Sequence, residues 1–516
     1  MRPDVGSRNE EPLISGDSMS TFPFDPKSEL SGNVLSGFYI DGQWVQPCSN
    51  ASVSLIAPST GQAFASVPLA DTADVDKAVD AARRAFDTGP WPSMSGTERA
   101  ACLQRMSAAL VSRMTLLSRI WTAEVGAPLW FANMFVPTAR AMFDYYAELA
   151  STFGFEESRS TRGGEAMIIR HPVGVTALIA PWNAQLPILS YKLSAALAAG
   201  CTVVVKAPPE APLDALVVAE CAHEAGLPPG VLNVITADAE RGAHLVAKRE
   251  VDKVSFTGST ATGKLIAKTC SDRLARVTLE LGGKSAAIVL DDAELNPTLA
   301  ALAPVTMPFS GQICFAQTRI LVPRSREKEF IEAYSAIIGG LKVGDPWDMT
   351  TQIGPVASRR QLDRVIRYIE AGSNEGARIT TGGGRSSKYD QGFFVEPTVF
   401  AGVTSEMTIA REEIFGPVVS IIAYDDVDQA VALANDTDFG LSGTVFTSDV
   451  ERGYSTARRI RTGNVSVNGL EMAPNVPFGG FKQSGIGREG GPEGLSAFLE
   501  DQAIYLPAGS PRVRQE

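Results

Sequence analysis

An α/β fold built on parallel sheets is what this sequence predicts, and three observations carry the prediction. Short apolar strands alternate with helices from His171 to a helix that starts at Ser259 or Thr260. A second alternation runs from Ser285 to about Val467, and no repeat or low-complexity block interrupts it. Alternation of this kind is the signature of βαβ units and a parallel sheet. The chain has 516 residues, too long for one small core, so two or three domains are expected.

Taken in order, Phe38-Tyr-Ile-Asp-Gly-Gln-Trp44-Val45 reads as strand, Asp-Gly turn and strand, a hairpin. Thr72 to Phe86 places Val75, Ala78, Val79, Ala82 and Phe86 on one helical face. A long helical region follows from Gly96 to about Ser151. Val173 to Ala180 is a short apolar run, Ile188 to Ala199 a helix, and Thr202 to Lys206 a strand. The helix Leu213 to Ala225 ends at Gly226, with Pro228 and Pro229 as stop signals. Val231 to Ile235 and Lys253 to Thr257 are strands, the second running into Gly258.

The composition excludes several classes. Apolar residues make up 44% and charged residues 20%, ordinary for a globular protein. The net charge of −12 argues against an extended nucleic-acid surface, which would be basic. No run approaches the ~18 apolar residues of a membrane-spanning helix. Six scattered cysteines without a CxxC pair fit a reducing compartment, and a cytoplasmic location is expected. Three histidines without HExxH-type spacing give no support to a metal site. Residues 1–36 are polar and turn-rich, lack the pattern of a signal peptide, and read as a disordered extension.

Five segments carry candidate chemistry. In Phe256-Thr-Gly258-Ser259-Thr260-Ala-Thr-Gly263 a strand ends, glycine turns the backbone and a hydroxyl residue caps a helix, so free N–H groups face an anion. Alone this is also any helix cap. Leu279-Glu280-Leu281-Gly282-Gly283-Lys284 sets a carboxylate before a double glycine. Gly311-Gln312-Ile313-Cys314-Phe315 holds a cysteine between apolar neighbours, which by itself is ordinary packing. Glu412-Glu413-Ile414-Phe415-Gly416-Pro417 and the glycine-rich run from Pro477 through Phe478 to Glu489 complete the set.

Together and in this order, with Pro181-Trp182-Asn183 and Ala225-Gly-Leu-Pro-Pro-Gly230-Val-Leu-Asn233 added, the segments resemble the aldehyde dehydrogenase superfamily over about residues 37 to 505. The resemblance implies an α/β, aldehyde dehydrogenase-like fold. Its parts are a Rossmann-like NAD(P)-binding domain (37–150 and 173–282), a catalytic α/β domain (283–485) and a small β oligomerisation part (151–172 and 486–510). It also implies a reaction in which an aldehyde becomes a carboxylic acid. Cys314 matches the nucleophile, which attacks the carbonyl to give a thiohemiacetal and then a thioester. Asn183, with the Cys314 backbone N–H, matches the oxyanion-stabilising group, and Glu280 matches the base that activates the hydrolytic water. Lys192 and Glu489 match a buried pair that relays the proton outward.

For the cofactor, the resemblance assigns Gly258 and Ser259 to the pyrophosphate, and Trp182 and Lys206 to the adenosine ribose. It assigns Glu413 to the nicotinamide ribose, with Phe415 and Leu281 packing beside it. Members that prefer NAD often carry Glu three residues after the ribose lysine. Here that place is Pro209, and Glu210 comes one later. A carboxylate near the 2′-hydroxyl repels a 2′-phosphate, so NAD is preferred, with NADP as the alternative. Other departures are Gln185 where Pro is common and Phe309-Ser310 where Asn-x is common before Gly-Gln. The substrate tunnel implied by alignment comprises Ala184, Ile188, Tyr191, Ile313, Phe315, Met472 and Phe478, among which Tyr191 holds the only hydroxyl and none is cationic. Medium-chain or aromatic aldehydes are therefore expected, and a homodimer or homotetramer, with Ala497 to Tyr505 as an edge strand. A CoA-acylating enzyme and a catalytically silent binding protein are the alternatives. The first generally lacks the glutamate at position 280, and the retained nucleophile, base and oxyanion group speak against the second.

Overall fold

The structure, a computed structural model, describes residues 22–508. Two large sheets dominate it. The first has eight strands. Its parallel centre places, side by side, Arg276–Glu280, Lys253–Thr257, Val175–Ile179, Thr202–Ala207 and Leu232–Thr236. The hairpin Phe38–Ile40 and Gln43–Val45 closes one edge, through a turn in which Asp41 (φ 54°) and Gly42 (φ 75°) are both left-handed. That pair is what a two-residue hairpin loop requires, which is why the Asp-Gly dipeptide is legible.

The central strands are buried on both faces, as parallel strands covered by helices must be. Alternation along Thr202–Ala207 divides them between two cores. Val203 and Val205 join a cluster with Leu189, Leu193 and Ala196 of the helix Gln185–Ala199. Val204 points the other way, into a cluster with Val75, Ala78 and Val79 of the helix Thr72–Thr88. The second sheet has seven strands between Ala286–Val289 and Asn464–Val467, and its five central and terminal pairings from Thr398–Ala401 onward are parallel. A three-stranded antiparallel sheet joins Glu156–Thr161, Gly164–Pro172 and Leu499–Pro507.

Two expectations need correction. Residues 22–36 are ordered: short helices form at Pro26–Glu29 and Gly32–Ser36, and Phe24, Leu30 and Val34 are buried in the main core. Three apolar side chains suffice to anchor an otherwise polar stretch, because a docked segment needs only one apolar edge. The remainder of the supposed extension, residues 1–21, lies outside the described residues, as do 509–510 of the oligomerisation segment. The long helical region is present as expected and consists of four helices, Gly96–Val111, Met114–Val125, Leu129–Phe135 and Pro137–Thr152. Gly126 (φ 76°) ends the second, and Pro137 starts the fourth at a position where no N–H is needed. Finally, the boundary expected at 485/486 falls inside a two-residue strand, Gly485–Ile486, which pairs antiparallel with Leu279 and Glu280 and so belongs to the first sheet.

Candidate active site

The topology gathers the candidate residues at one end of the first sheet. Trp182 and Asn183 follow the strand Val175–Ile179, Lys206 lies near the end of Thr202–Ala207, Gly258 and Ser259 follow Lys253–Thr257, and Glu280 ends Arg276–Glu280. All are at carboxyl ends of neighbouring parallel strands, the edge where open α/β sheets bind ligands. The double glycine then carries the chain to the second sheet. A Cβ on Gly282 would strike the Glu413 carboxylate, and one on Gly283 would come within 2.6 Å of the Cys314 carbonyl. Only residues without side chains allow the two halves to approach this closely.

The nucleophile loop is strained. Phe309, Ser310 and Gly311 are successive left-handed residues, with φ of 47°, 55° and 72°. Bulky residues seldom adopt this conformation, and each such residue costs on the order of 1–3 kcal/mol. Tertiary contacts hold them: Phe309 packs against Trp121 (ring centroids 5.5 Å apart), and Ser310 Oγ donates to the Gly354 carbonyl at 2.9 Å. Asn183 Nδ2 donates to the Gln312 carbonyl at 2.8 Å, which ties the oxyanion candidate to this loop. Cys314 keeps partial exposure to the cavity, but its apolar surroundings push the thiol up to about 12, with the carboxylates of Glu413 and Glu280 adding to the effect.

Glu280 is buried, and neither carboxylate oxygen accepts a hydrogen bond among the described residues. Burial raises it well above the usual carboxylate range, and the charge of Glu489 raises it further. Its carboxylate lies against Gly479, where a Cβ would come within 2.6 Å of Oε1. Behind it Lys192 Nζ contacts Glu489 Oε1 at 2.5 Å, and both side chains are almost fully buried. Ser255 Oγ completes the group: it accepts from Lys192 at 3.2 Å and donates to Glu489 at 3.1 Å. A buried carboxylate backed by a hydrogen-bonded ion pair is an arrangement that can pass a proton out of the cavity.

The residues expected at a dinucleotide fit one. Ser259 caps the helix Thr260–Ser271, its Oγ accepting from the Thr262 N–H at 3.3 Å, which leaves the Thr260 and Ala261 N–H groups for an anion. Lys206 is buried and makes no side-chain hydrogen bond among the described residues. Burial lowers it to about 8, while the carboxylates of Glu210 and Asp238 oppose the shift. Glu210 itself is exposed and Pro209 half-buried. Glu413 Oε1 accepts from the Gly283 N–H at 3.0 Å, and burial pushes the carboxyl up to about 7. Trp182 and Phe415 meet edge to face, with centroids 5.6 Å apart. These groups would hold the ribose hydroxyls, the pyrophosphate and the nicotinamide ring of NAD.

A cavity of about 420 Å³ opens from Cys314, Glu280 and Asn183. All seven expected tunnel residues line it: Ala184, Ile188, Tyr191, Ile313, Phe315, Met472 and Phe478, as does Leu281. One wall is absent from the sequence reading. Phe131, Met134, Phe135, Thr138, Ala141 and Met142 come from two of the four helices, and Thr138 and Thr257 add hydroxyls to that of Tyr191. Among the described residues no Lys or Arg lines the cavity. Two further residues hold the loop of Glu413 and Phe415: Gln361 Nε2 donates to the carbonyls of Ile414 (3.2 Å) and Phe415 (2.5 Å), and the Arg364 guanidinium donates to those of Glu413 and Ile414. They brace a turn in which Phe415 has φ 63°. Nothing local in the sequence links them to Glu413, because they lie on a distant helix.

Comparison with known proteins agrees with this geometry. The chain is 45% identical over 470 residues to a geranial dehydrogenase of Castellaniella defragrans, covering 91% of this chain and 98% of the relative. Among solved structures, a Mycobacterium tuberculosis aldehyde dehydrogenase complexed with NAD+ superposes with a TM-score of 0.91 at 42% identity, over 93% of this chain and 99% of that one. A mutant of aldehyde dehydrogenase C from Pseudomonas syringae, complexed with NAD+ and octanal, gives 0.88 at 41% identity, over 92% and 97%. Residues 44–504 match the aldehyde dehydrogenase family, and the chain belongs to it.

Proposed function

We propose that this chain oxidises apolar aldehydes, of medium chain length or aromatic, to carboxylic acids with NAD, and that the acyl group is released to water. The observation that carries the reading is the meeting of Cys314, Asn183 and Glu280 at the base of an apolar cavity without a cation. The Cys314 sulfur bonds to the carbonyl carbon as its proton passes to solvent water, and the negative oxygen that forms is stabilised by Asn183 Nδ2 and the Cys314 N–H. What NAD supplies when bound is the acceptor for the hydride that leaves this carbon. Glu280 then takes a proton from water as the water oxygen displaces the thioester sulfur, and the Glu489–Lys192 pair passes that proton outward.

NAD is preferred over NADP in this reading, because Glu210 and Asp238 set two carboxylates around Lys206. The apolar preference is supported by the names of two relatives, which concern geranial and octanal. Assembly as a homodimer or homotetramer is part of the proposal: Leu499–Pro507 is an edge strand with Ile504 and Tyr505 exposed on it. The test is kcat/KM with NAD and with NADP across acetaldehyde, hexanal, benzaldehyde and succinic semialdehyde, with product analysis in the presence and absence of CoA. Hexanal and benzaldehyde should lead and the product should be the free acid. A preference for the semialdehyde, or acyl-CoA as the main product, would overturn the reading.

A further inference from the structure

The turn that presents Asn183 has no local means of holding its shape. It leads into the helix Gln185–Ala199, whose N-cap is Ala184, a residue that offers no side-chain cap. Two distant groups fill that role. Asp214 Oδ2 accepts from the Leu186 N–H at 2.8 Å, and Gln185, with its amide nitrogen turned to Asp214, donates to Oδ1 at 2.7 Å. On the other side the indole N–H of Trp121 donates to the backbone carbonyl of Asn183 at 2.6 Å, in a buried contact.

Trp121 sits near the end of the helix Met114–Val125 and is 5% exposed. Its ring packs on Phe309 of the nucleophile loop and on Phe131 and Phe135 of the cavity wall, with centroids 5.5, 5.8 and 6.1 Å away. One side chain therefore touches both Asn183 and the loop that leads to Cys314. Its N–H fixes the Asn183 carbonyl, and its face supports the left-handed Phe309. The side-chain amide of Asn183 leaves the same residue toward the Gln312 carbonyl, so a rotation of the 183 backbone would carry the amide away from Cys314.

We propose that Trp121 is a positioning residue for attack at the carbonyl: through its indole N–H it orients Asn183, and it acts on thiohemiacetal formation and not on cofactor binding. The inference rests on the proposed role of Asn183. A buried carbonyl that loses its donor turns toward another, and the oxyanion donor moves with it.

The test removes the N–H and keeps the ring. Benzothienylalanine at position 121 has the shape of tryptophan with sulfur in place of the N–H, and Trp121→Phe is a simpler second variant. The NADH burst with hexanal should slow about tenfold or more in both, with NAD affinity and the thermal midpoint close to wild type. Hydrolysis of p-nitrophenyl acetate, which uses the Cys314 thiol and an oxyanion but transfers no hydride, should slow in parallel. In an Asn183→Ala background the same changes should cost no further rate. A burst within twofold of wild type in either folded, NAD-binding variant overturns the proposal. If wild type oxidises no aldehyde yet the variants lose ester hydrolysis, the positioning role stands and the proposed function falls.

Discussion

Asn183 and Gln312 are joined side chain to backbone: the Asn183 amide donates at 2.8 Å to a carbonyl two residues before Cys314. The contact links the two sheets, since Asn183 lies in the loop after Val175–Ile179 of the first and Gln312 in the segment that leads into Arg319–Pro323 of the second. In the proposed reaction the oxyanion donor is thus tied to the loop that carries Cys314, and preorganisation of this kind is usually the largest contribution to catalysis of acyl chemistry.

The first prediction concerns the thiol. Burial pushes Cys314 up to about 12, so its thiolate fraction in the cofactor-free protein should climb through the whole neutral range. Alkylation by iodoacetamide at Cys314 should therefore accelerate about tenfold per pH unit from about pH 7 to 9, with no plateau. Cys314→Ala supplies the background from the other cysteines, and it should abolish turnover while retaining NAD affinity. A plateau near neutral pH would mean that a neighbouring base already holds the thiol proton.

Glu280→Gln should separate the two halves of the reaction. The amide keeps the volume of the side chain against Gly479 but cannot take a proton from water. A single burst of NADH, about one equivalent per site, should be followed by a stall at the thioester. Mass spectrometry of the stalled protein should show the acyl group on Cys314. Loss of the burst along with steady-state turnover would place Glu280 in the first step as well.

A third prediction concerns stability. Asp214 and Glu124 are both fully enclosed, and each accepts a backbone N–H at the start of a helix, from Leu186 and Leu213. Burial raises Asp214 from 3.8 to about 7 and lifts Glu124 well above its ordinary value. The folded state then keeps a proton that the unfolded chain releases. The associated stability is complete below the unfolded value near 4 and is lost as pH rises through about 7, by up to about 1.4 kcal/mol per pH unit for one such group. Asp214→Asn should flatten this decline between about pH 5 and 7 in urea unfolding. An unchanged slope would show that Asp214 stays ionised in the fold.

Much of the site was legible because its residues lie where local pattern and motif coincide. Thr202 to Lys206 and Lys253 to Thr257 are unbroken buried strands, and the glycines that end or link strands have sterically defined jobs. The helical wall of the cavity was not legible. Phe131, Met134 and Met142 follow the same helical spacing whether they face a core or a tunnel. Trp121, Gln361 and Arg364 act on backbone carbonyls far along the chain, and a carbonyl leaves no mark in the sequence. The order of residues 22–36 escaped for a different reason: Gly, Ser and Pro dominate the stretch and hide the three apolar anchors.

The helical wall also yields a test of substrate length. Met134 lines the cavity and is 58% exposed, so it stands at the mouth and contributes little to the core. A short aldehyde bound at Cys314 would not extend to it, whereas the tail of a longer one would lie along its side chain. Burial of hydrocarbon gains about 0.8 kcal/mol per CH₂. Met134→Ala should therefore raise KM for octanal about fourfold for each methylene that loses its cover, and leave acetaldehyde unchanged. The thermal midpoint should move little, because an exposed side chain is removed. Met134→Lys sharpens the comparison: a cation at the mouth should weaken octanal further and improve succinic semialdehyde, whose carboxylate meets no Lys or Arg in the native cavity. Equal losses for acetaldehyde and octanal would show that Met134 acts on the shape of the whole site, and the tunnel would then have to run along another wall.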